Sequence, residues 1–474
     1  MSLPEASLPW MGLGLTSNLD PSVPPNPWRL AEARPGLIDF VEYSAPLSID
    51  HARQHAPQFA ELWAKRAALP VLFHPVHLNL WGPELESPDR LHALDAHARE
   101  VESPWVGNDV GWWHAKGEAF PGYLYLSPPL TRAGLDACVA HALHVQAHLT
   151  LPLVLENPAV IAARGEQHVL DFMAQLHART GRRLLLDLGH LFSYQLARGL
   201  PMDAGLDGFP LDQVVEIHLA GGVVTRRGER AIYVDDHTQP VREELFELLS
   251  RVLPRCSSLR ALTFEGDGHP DAIAARTLQR LRTLVPPRDR APEVVVPAEA
   301  ASTPMPVALR GDDDCLRVFE ESYGLKPPSE DPVGVEADLD FRLAVLAQSI
   351  DRVYPLSRLL LAGTREGLLG FSRSAGFRAC FAEDSRSVER AFMGWAIEQL
   401  RSSPDPALEA VLAMEGYRAQ TGRPFPGKPP VDLAEAEFAA RALRRHLSDR
   451  AWVSGDVEKG GLEGLWQVVR RAAR

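Results

Sequence analysis

Ionisable side chains recur where the short apolar runs in the first part of this chain end. Six runs end in the set His74, Asp109, Glu156, Asp187 with His190, His218 and Glu265. A further acid–imidazole pair, Asp235 and His237, follows the seventh run on a predicted loop. Buried carboxylates without partners repel one another and resist ionisation, and a bound cation removes that problem. Histidine and carboxylate ligands without sulfur favour iron, manganese or zinc. We therefore expect a metal site. Because there are more candidate ligands than one ion normally needs, we predict two or three ions that share bridging carboxylates.

Any single histidine or aspartate is more often a hydrogen-bonded structural group than a ligand. We assign to that structural class the histidines that lie mostly in stretches of helical periodicity, which are His77, His92, His97, His141, His144, His148, His168 and His177. Glu216 lies two residues before His218, so in a strand it shares a face with that histidine and is held in reserve. The strand-end residues differ from these histidines because an ionisable side chain recurs at the end of successive runs.

The elements that must position these residues are short buried strands that alternate with helices. Apolar runs bounded by turn residues cover 11–15, 37–41, 70–73, 105–106, 152–155, 183–186, 214–217 and 261–264. Helical periodicity covers 58–68, 132–149, 167–180 and 242–252. Strand-then-helix repeated about eight times predicts a (β/α)₈ barrel, whose active sites form at the C-terminal ends of the strands. An open doubly wound sheet usually carries a glycine-rich phosphate turn after its first strand, and the turn at residues 12–18 lacks the third glycine and the helix start.

The rest of the chain predicts a second domain. We place the catalytic barrel at 8–290, a Pro- and Ala-rich linker at 291–307, and a mainly α-helical domain at 308–474. Helical periodicity there covers 341–353, 388–401, 406–419 and 433–447. The run Asp312-Asp313-Asp314 is expected in a solvated loop, and Phe319, Phe341, Phe392 and Trp395 are expected in a small core.

Composition excludes several classes of protein. The formal net charge of −13 over 474 residues argues against a general nucleic-acid binder, because phosphate contacts need a basic face. The four cysteines are scattered without a CxxC pair, so neither a disulfide framework nor a thiolate zinc site is expected. The chain opens with no secretory pattern and contains no apolar run of membrane-spanning length, which favours the cytoplasm and no membrane partner.

An ordered series of motifs over about residues 10–285 resembles a known family. The series runs Gly12-Leu13-Gly14-Leu15, Asp39-Phe40-Val41-Glu42, His74, Leu155-Glu156-Asn157, Leu186-Asp187, Glu216-Ile217-His218-Leu219-Ala220-Gly221, Asp235-Asp236-His237 and Phe264-Glu265-Gly266-Asp267. In this order the motifs resemble the multinuclear non-heme iron-dependent oxidative enzymes, the barrel family that includes the methanobactin-biosynthesis oxidase. The IHLAG motif, followed by DxH and a final strand-end glutamate, is the most specific part.

The resemblance implies a cluster of two or three irons that activates dioxygen as co-substrate. Members modify ribosomally made precursor peptides, often at cysteine, with a partner protein that presents the precursor; the fused helical domain is a candidate for that role. By position, the implied ligands are His74, Glu156, Asp187, His218, Asp235, His237 and Glu265.

Two positions depart from the family pattern. Asn108-Asp109 stands where the family usually has a Ser-acid-His motif, and Gly189-His190 stands where it usually has asparagine after the aspartate. Asp109 can ligate iron, and His190 can replace the lost nitrogen donor. We therefore add both to the ligand set and expect both to be catalytic.

Two other functions fit a barrel with strand-end ligands. One is a different metal-dependent barrel enzyme, such as a sugar isomerase or a phosphodiester hydrolase. The other is a non-catalytic barrel whose helical domain provides binding. Iron with a charge-transfer or mixed-valence spectrum distinguishes the oxidase from an enzyme that holds zinc or manganese, and no stoichiometric metal indicates the non-catalytic barrel.

Overall fold

The first part of the chain folds into a closed barrel of eight parallel strands. The computed structural model describes residues 7–17, 23–45, 59, 64–65, 69–115, 118–290, 296–297, 312–382, 387–423, 433–447, 451–454 and 456–472. The barrel strands are β1 Gly12–Ser17, β2 Phe40–Ala45, β3 Val71–Pro75, β4 Val106–Asp109, β5 Leu153–Glu156, β6 Arg183–Asp187, β7 Val214–Ala220 and β8 Ala261–Glu265. Each pairs with its neighbours in sequence, and β8 closes onto β1. The predicted fold class is confirmed.

Helices follow most of the strands and cover the outside of the barrel. They are α1 Pro27–Ala33, α2 Pro88–Glu100, α3 Arg132–His148, α4 Val169–Thr180, α5 Leu188–Arg198, α6 Glu243–Val252 and α7 Asp271–Arg282. Three of the four helices predicted in this region match to within two residues, and the one predicted over 58–68 lies largely outside the described residues. Helix α5 was not predicted. It starts directly after β6, and the Asp187 carboxylate caps it by accepting the His190 backbone N–H.

An apolar cluster closes the N-terminal end of the barrel. It combines Met11, Trp105 and other strand residues with Leu8 and Val296, all of them buried. Val296–Pro297, inside the segment predicted as a linker, pairs antiparallel with Ser7–Leu8. The polar strand ends therefore lie at the opposite, C-terminal end, which is the barrel mouth.

A β-hairpin extends the chain directly after β7. Its strands, Gly222–Arg227 and Arg230–Asp235, are joined by a two-residue turn in which Gly228 adopts φ 59°. We call it the outer hairpin. Sequence analysis placed Asp235 on a loop, and that was wrong: this residue ends the second strand of the hairpin. The signal for the hairpin is a pair of β-branched and aromatic runs, Val223-Val224-Thr225 and Ile232-Tyr233-Val234, on either side of Gly228.

The remainder of the chain is mostly helical. Its helices are α8 Asp312–Ser322, α9 Pro332–Asp351, α10 Pro355–Ala362, α11 Arg365–Ser372, α12 Ala375–Ala382, α13 Val388–Ser402, α14 Pro406–Thr421, α15 Leu433–Leu447 and α16 Asp456–Ala472. The Asp312-Asp313-Asp314 run opens α8 instead of lying in a loop, as acidic residues in a first helical turn often do. Phe319, Phe392 and Trp395 are buried as predicted, whereas Phe341 is half-buried. None of the helices in the described ranges is both long and apolar enough to cross a bilayer.

Two compact units divide the chain. The first contains residues 1–113, 125–316 and 330–334, and the second contains residues 114–124, 317–329 and 335–474. A short piece beyond the barrel, Glu330–Gly334, thus belongs to the barrel unit. The core of the helical unit includes Leu359, Ala396 and Val411, all buried.

Candidate metal centre

Six barrel strands each bring an ionisable side chain to the mouth. The contributing residues, taken from β3 to β8 in order, are His74, Asp109, Glu156, Asp187, His218 and Glu265. Sequence analysis placed several of them after the strands, whereas each lies within the last residues of its strand. Hydrogen bonding between strands continues through these positions, as in the pairing of Asp109 with Glu156. The backbone that carries the ligands is therefore part of the barrel wall.

Glu156 lies at the centre of the set and is 1% exposed. Its Oε1 is 3.5 Å from His218 Nδ1 and 3.5 Å from His190 Nδ1, and its Oε2 is 3.6 Å from His74 Nε2. Three imidazoles around one carboxylate is the arrangement expected of a bridging ligand.

Four groups of three donors lie close enough together to hold a cation. In each group the donor atoms lie within 4.8 Å of one another, and the groups are Glu42–His74–His218, His74–Asp109–Glu156, Glu156–Asp187–His190 and Asp187–His218–Glu265. Because Glu156, Asp187, His74 and His218 each belong to two groups, the donors form one continuous cluster.

The outer side of the cluster is formed by the outer hairpin and the turn that follows it. Asp235 Oδ2 is 3.4 Å from His190 Nε2 and 3.3 Å from His237 Nε2. His237 Nε2 is also 3.7 Å from Glu265 Oε2, and its Nδ1 is 3.6 Å from Asp267 Oδ2. The His237 and Asp267 side chains are 31% and 30% exposed, so this is the open edge of the site.

Asn157 fixes two of the candidate ligands. Its side-chain amide donates to the Asp187 carbonyl at 3.0 Å, and its Oδ1 accepts the Asp187 N–H at 2.9 Å. Its own carbonyl lies 2.9 Å from His190 Nδ1. A carbonyl only accepts, so Nδ1 carries the hydrogen and Nε2 is directed at Asp235.

Glu42, on β2, lies beneath two of the histidines. Its Oε1 is 3.4 Å from His74 Nδ1 and its Oε2 is 3.0 Å from His218 Nε2, while the Thr263 hydroxyl donates to Oε2 at 2.5 Å. With these ring nitrogens facing Glu42, His74 Nε2 and His218 Nδ1 face the other carboxylates. Glu216 lies in the same layer, where it accepts from Trp105 Nε1 at 2.8 Å and lies 3.5 Å from His218.

The electrostatics of the cluster favour charged histidines in the absence of a cation. Burial alone would lower the pKa of His74, but the hydrogen bond to Asp109 and the charges of Glu156 and Glu42 raise it to about 9. Against the same burial, surrounding carboxylates raise the pKa values of His190 and His218 well above the usual range.

The carboxylates divide into two classes. Burial and the Asp109 charge raise the pKa of Glu156 to about 7, although His218 and His74 oppose the shift. Burial would also raise the pKa of Glu42, but His218 and His74 lower it to about 2. Glu42 is thus anionic at neutral pH, whereas Glu156 is partly protonated.

Several buried oxygens at the mouth accept no hydrogen bond from the described residues. Among the described residues, no donor hydrogen-bonds to Glu156 Oε2, Asp187 Oδ2 or Asp235 Oδ1, although all three atoms are buried. A Cβ at Gly189 would lie 3.2 Å from Asp235 Oδ1 and 3.3 Å from Asp187 Oδ1, so this glycine leaves room for the two carboxylates to face each other. Unsatisfied buried carboxylate oxygens are costly, and a divalent cation is the group that fits them.

Every residue predicted as a candidate ligand lies in or beside this one cluster. The two positions that depart from the family pattern are neighbours, with Asp109 Oδ1 3.6 Å from His190 Nδ1. Sequence reasoning missed Glu42 and Asn157 as site residues, although both belonged to quoted motifs. The predicted second run ends at Val41, whereas β2 continues through Glu42 to Ala45.

The histidines assigned to structural roles lie outside the groups that could hold a cation. Two of them, His97 and His141, are fully buried. His141 places both ring nitrogens on backbone carbonyls, those of Asn79 at 3.2 Å and Gly82 at 3.1 Å.

Solved structures with similar barrels are only distant. Endonuclease IV from Thermus thermophilus is 20% identical, with a TM-score of 0.39 over 58% of this chain and 99% of its own. A xylose isomerase domain-containing protein from Salmonella typhimurium is 11% identical, with a TM-score of 0.36 over 60% of this chain and 98% of its own.

Curated relatives match the barrel region more closely. A UPF0276 protein from Caulobacter vibrioides is 30% identical over 252 residues, which is 52% of this chain and 85% of the relative. A second UPF0276 protein from that organism is 28% identical over 276 residues, 57% of this chain and 93% of the relative. The family model described as RiPP precursor modification enzyme MbnB/TglH/ChrH matches residues 11–281, which contain every candidate ligand named above. The chain therefore belongs to the MbnB/TglH/ChrH family of enzymes that modify the precursors of ribosomally synthesised peptides.

Proposed function

We propose that this protein is a multinuclear non-heme iron enzyme that uses dioxygen to oxidise a ribosomally made precursor peptide at cysteine. The observation that carries the proposal is the mouth itself, where buried oxygens of Glu156, Asp187 and Asp235 accept no hydrogen bond from the described residues and lie beside His74, His190, His218 and His237. Family membership supports a peptide as the substrate. The choice of iron and dioxygen rests on the resemblance described above and on a donor set of nitrogen and oxygen without sulfur.

The ligands fall into an inner and an outer set. His74, Asp109, Glu156, Asp187, His218 and Glu265 form the inner set of residues that would hold iron, and His190, Asp235 and His237 form the outer set beside the open edge. When bound, the irons supply dioxygen activation and Lewis-acid polarisation of the substrate.

The protein's own residues prepare the site in three ways. Glu42 holds two imidazoles in the orientation that ligation requires, and Asn157 does the same for His190. Burial of Glu156 and Asp187 excludes water from the inner side. Since His237 and Asp267 are the exposed residues, the peptide would approach along that edge.

We assign catalytic roles to Asp109 and His190. They lie 3.6 Å apart where the inner and outer sets meet, so both would ligate ions of the cluster. At position 109 a carboxylate replaces a nitrogen donor of the family pattern, and at position 190 a nitrogen donor is gained. The pair therefore still contains one histidine and one acid. We expect it to shift the reduction potential of the cluster while the number of ions is retained.

The partners follow from the substrate. The precursor peptide would be delivered either by a separate presenting protein or by the fused helical region, and no nucleic acid or membrane is required.

The proposal is tested by co-expressing the protein aerobically with short cysteine-bearing peptides encoded next to its gene and weighing each peptide by mass spectrometry. We expect a mass change that depends on iron loading and on oxygen, and that is absent with Glu156→Gln. An unchanged peptide mass across iron-loaded preparations would count against it.

A further inference from the structure

Two segments of the barrel unit carry residues of the candidate metal centre but lie outside the barrel strands. One is the outer hairpin, which ends in Asp235. The other is the loop at residues 157–168, between β5 and α4, which begins with Asn157. Neither segment is hydrogen-bonded into the barrel sheet as a strand, so other contacts must set their positions.

An inner contact joins the two segments near the site. The Ser193 hydroxyl, on α5, lies 3.1 Å from the Val160 carbonyl of the loop and 3.2 Å from the Tyr233 carbonyl of the outer hairpin. The Tyr233 ring packs edge-on against Phe192 at 5.1 Å. Helix α5 also carries His190, so the helix, the loop and the hairpin pack as one layer around the outer ligands.

An outer contact joins the same two segments and comes from beyond the barrel. The Asp331 carboxylate accepts the Ala163 N–H of the loop at 2.8 Å and binds the Arg230 guanidinium of the outer hairpin through both of its oxygens, one contact at 2.9 Å. The neighbouring Glu330 accepts the Gly165 N–H of the loop at 2.8 Å. The Asp331 and Arg230 side chains are only 12% and 20% exposed, so water screens this pair weakly.

The backbone conformation of Asp331 also indicates that this contact is a specific feature of the fold. Asp331 adopts φ 45°, in the left-handed region that non-glycine residues rarely occupy. Its carboxylate also accepts the Gly334 N–H at 3.1 Å, which caps the start of α9. Strained backbone persists where surrounding contacts over-determine it.

We infer that Asp331 is a positioning residue for the metal centre, through its simultaneous hold on the outer hairpin and on the loop after β5. The residue lies outside the part of the chain that the family model matches. The region beyond the barrel thus contributes to the site by holding two of its segments in register. The metal part of this inference rests on the proposed function, whereas the effect on the two segments does not.

Hydrogen–deuterium exchange of the full-length protein tests the hold directly. In Asp331→Ala we expect exchange at the Ala163 amide and in residues 222–235 to accelerate about tenfold. Arg230→Gln removes only the contact between Asp331 and the outer hairpin, so exchange should accelerate in the hairpin and stay unchanged at Ala163. Glu243→Ala is the matched control, because it removes a two-bonded pair with Arg280 elsewhere on the barrel unit and should leave both segments unchanged.

Titration with Co²⁺, followed by its visible absorption, tests the consequence for the site. Asp331→Ala should bind one equivalent of Co²⁺ about tenfold more weakly than wild type, and Asp331→Asn, which keeps the size and one acceptor, should lie between them. Acceleration confined to Ala163, or wild-type Co²⁺ affinity in both variants, overturns the inference. A wild-type protein that takes up no Co²⁺ would contradict the proposed function, and the exchange experiment would still decide the hold of Asp331 on the two segments.

Discussion

Buried carboxylates occur in both compact units of this protein, and their surroundings differ. In the helical unit, Glu415 is 1% exposed and accepts from the Leu356 N–H at 2.8 Å, the Ser357 N–H at 3.0 Å and the Ser357 hydroxyl at 2.6 Å. Both of its oxygens are satisfied, and they cap the start of α10. At the barrel mouth Glu156 is equally buried, yet its Oε2 accepts no hydrogen bond from any residue in the described ranges.

The difference separates a structural charge from a functional one. Burial of a charged group costs several kcal/mol unless hydrogen bonds or an opposite charge compensate for it. The helical unit compensates within the chain, whereas the mouth has oxygens that accept no hydrogen bond from the described residues and that a bound cation would satisfy. Each prediction below changes one side of this comparison.

The largest effect is expected from Glu156→Gln. Glutamine keeps the shape and removes the bridging charge, so metal affinity should fall by a factor of about 1,000, or ~4 kcal/mol of metal-linked stabilisation at saturating metal. The metal-free variant should be at least as stable as metal-free wild type, because one repelling carboxylate is gone. Thermal unfolding with and without added Fe²⁺ under anaerobic conditions measures both quantities. A metal-induced rise in Tm equal to that of wild type would contradict the bridging role.

The pH dependence of metal binding is the next effect in size. Ligation needs the neutral imidazole, and in the metal-free protein the pKa of His74 is about 9 and that of Glu156 about 7. Binding therefore releases protons, and affinity should rise at least a hundredfold between about pH 6 and about pH 8. Calorimetric titration in two buffers of different ionisation enthalpy counts the protons. Affinity that is flat with pH, with no proton release, would show that these groups are not ligands.

The helical unit should respond in the opposite way to the same chemical change. Glu415→Gln leaves one acceptor for three donors, so the free energy of unfolding should fall by ~2 kcal/mol while metal content stays at the wild-type value. Urea denaturation and metal analysis on the same sample measure the two. Loss of metal in this variant would remove the distinction between the two regions.

The smallest effect is expected from Glu42→Gln. Both imidazoles lose an anionic acceptor and one of them faces an amide nitrogen instead, so metal affinity should fall about tenfold, or ~1.4 kcal/mol. Glu216→Gln is the matched control in the same buried layer, and its effect should be smaller because its contact to His218 is longer. Equal losses in the two variants would mean that the layer acts only through its net charge.

The repeated pattern of the barrel allowed its strands to be predicted from sequence. Short apolar runs are bounded by turn residues, and parallel strands buried on both faces keep that pattern. The ends were less certain: the fourth run was placed at 105–106, whereas β4 extends through Asp109. Polar residues at the barrel mouth continue the strand because their side chains enter the polar cluster of carboxylates and histidines, and not the apolar core.

The convergence of the predicted ligands followed from the barrel topology, but their partners did not. Which oxygen faces which nitrogen depends on rotamers and on neighbours such as Glu42 and Asn157, and sequence spacing does not encode these. The role of Asp331 was beyond prediction for a different reason. It lies 168 residues from Ala163 in sequence, and only the tertiary fold brings them together.

The central claim is that the mouth of this barrel is a multinuclear iron centre. Metal analysis of freshly purified protein, combined with Mössbauer spectroscopy of ⁵⁷Fe-grown material, tests it most directly. The claim predicts two or three irons per chain, with spectra of coupled non-heme iron that disappear in Glu156→Gln. Protein without stoichiometric metal, or with zinc alone and no iron uptake, would contradict it.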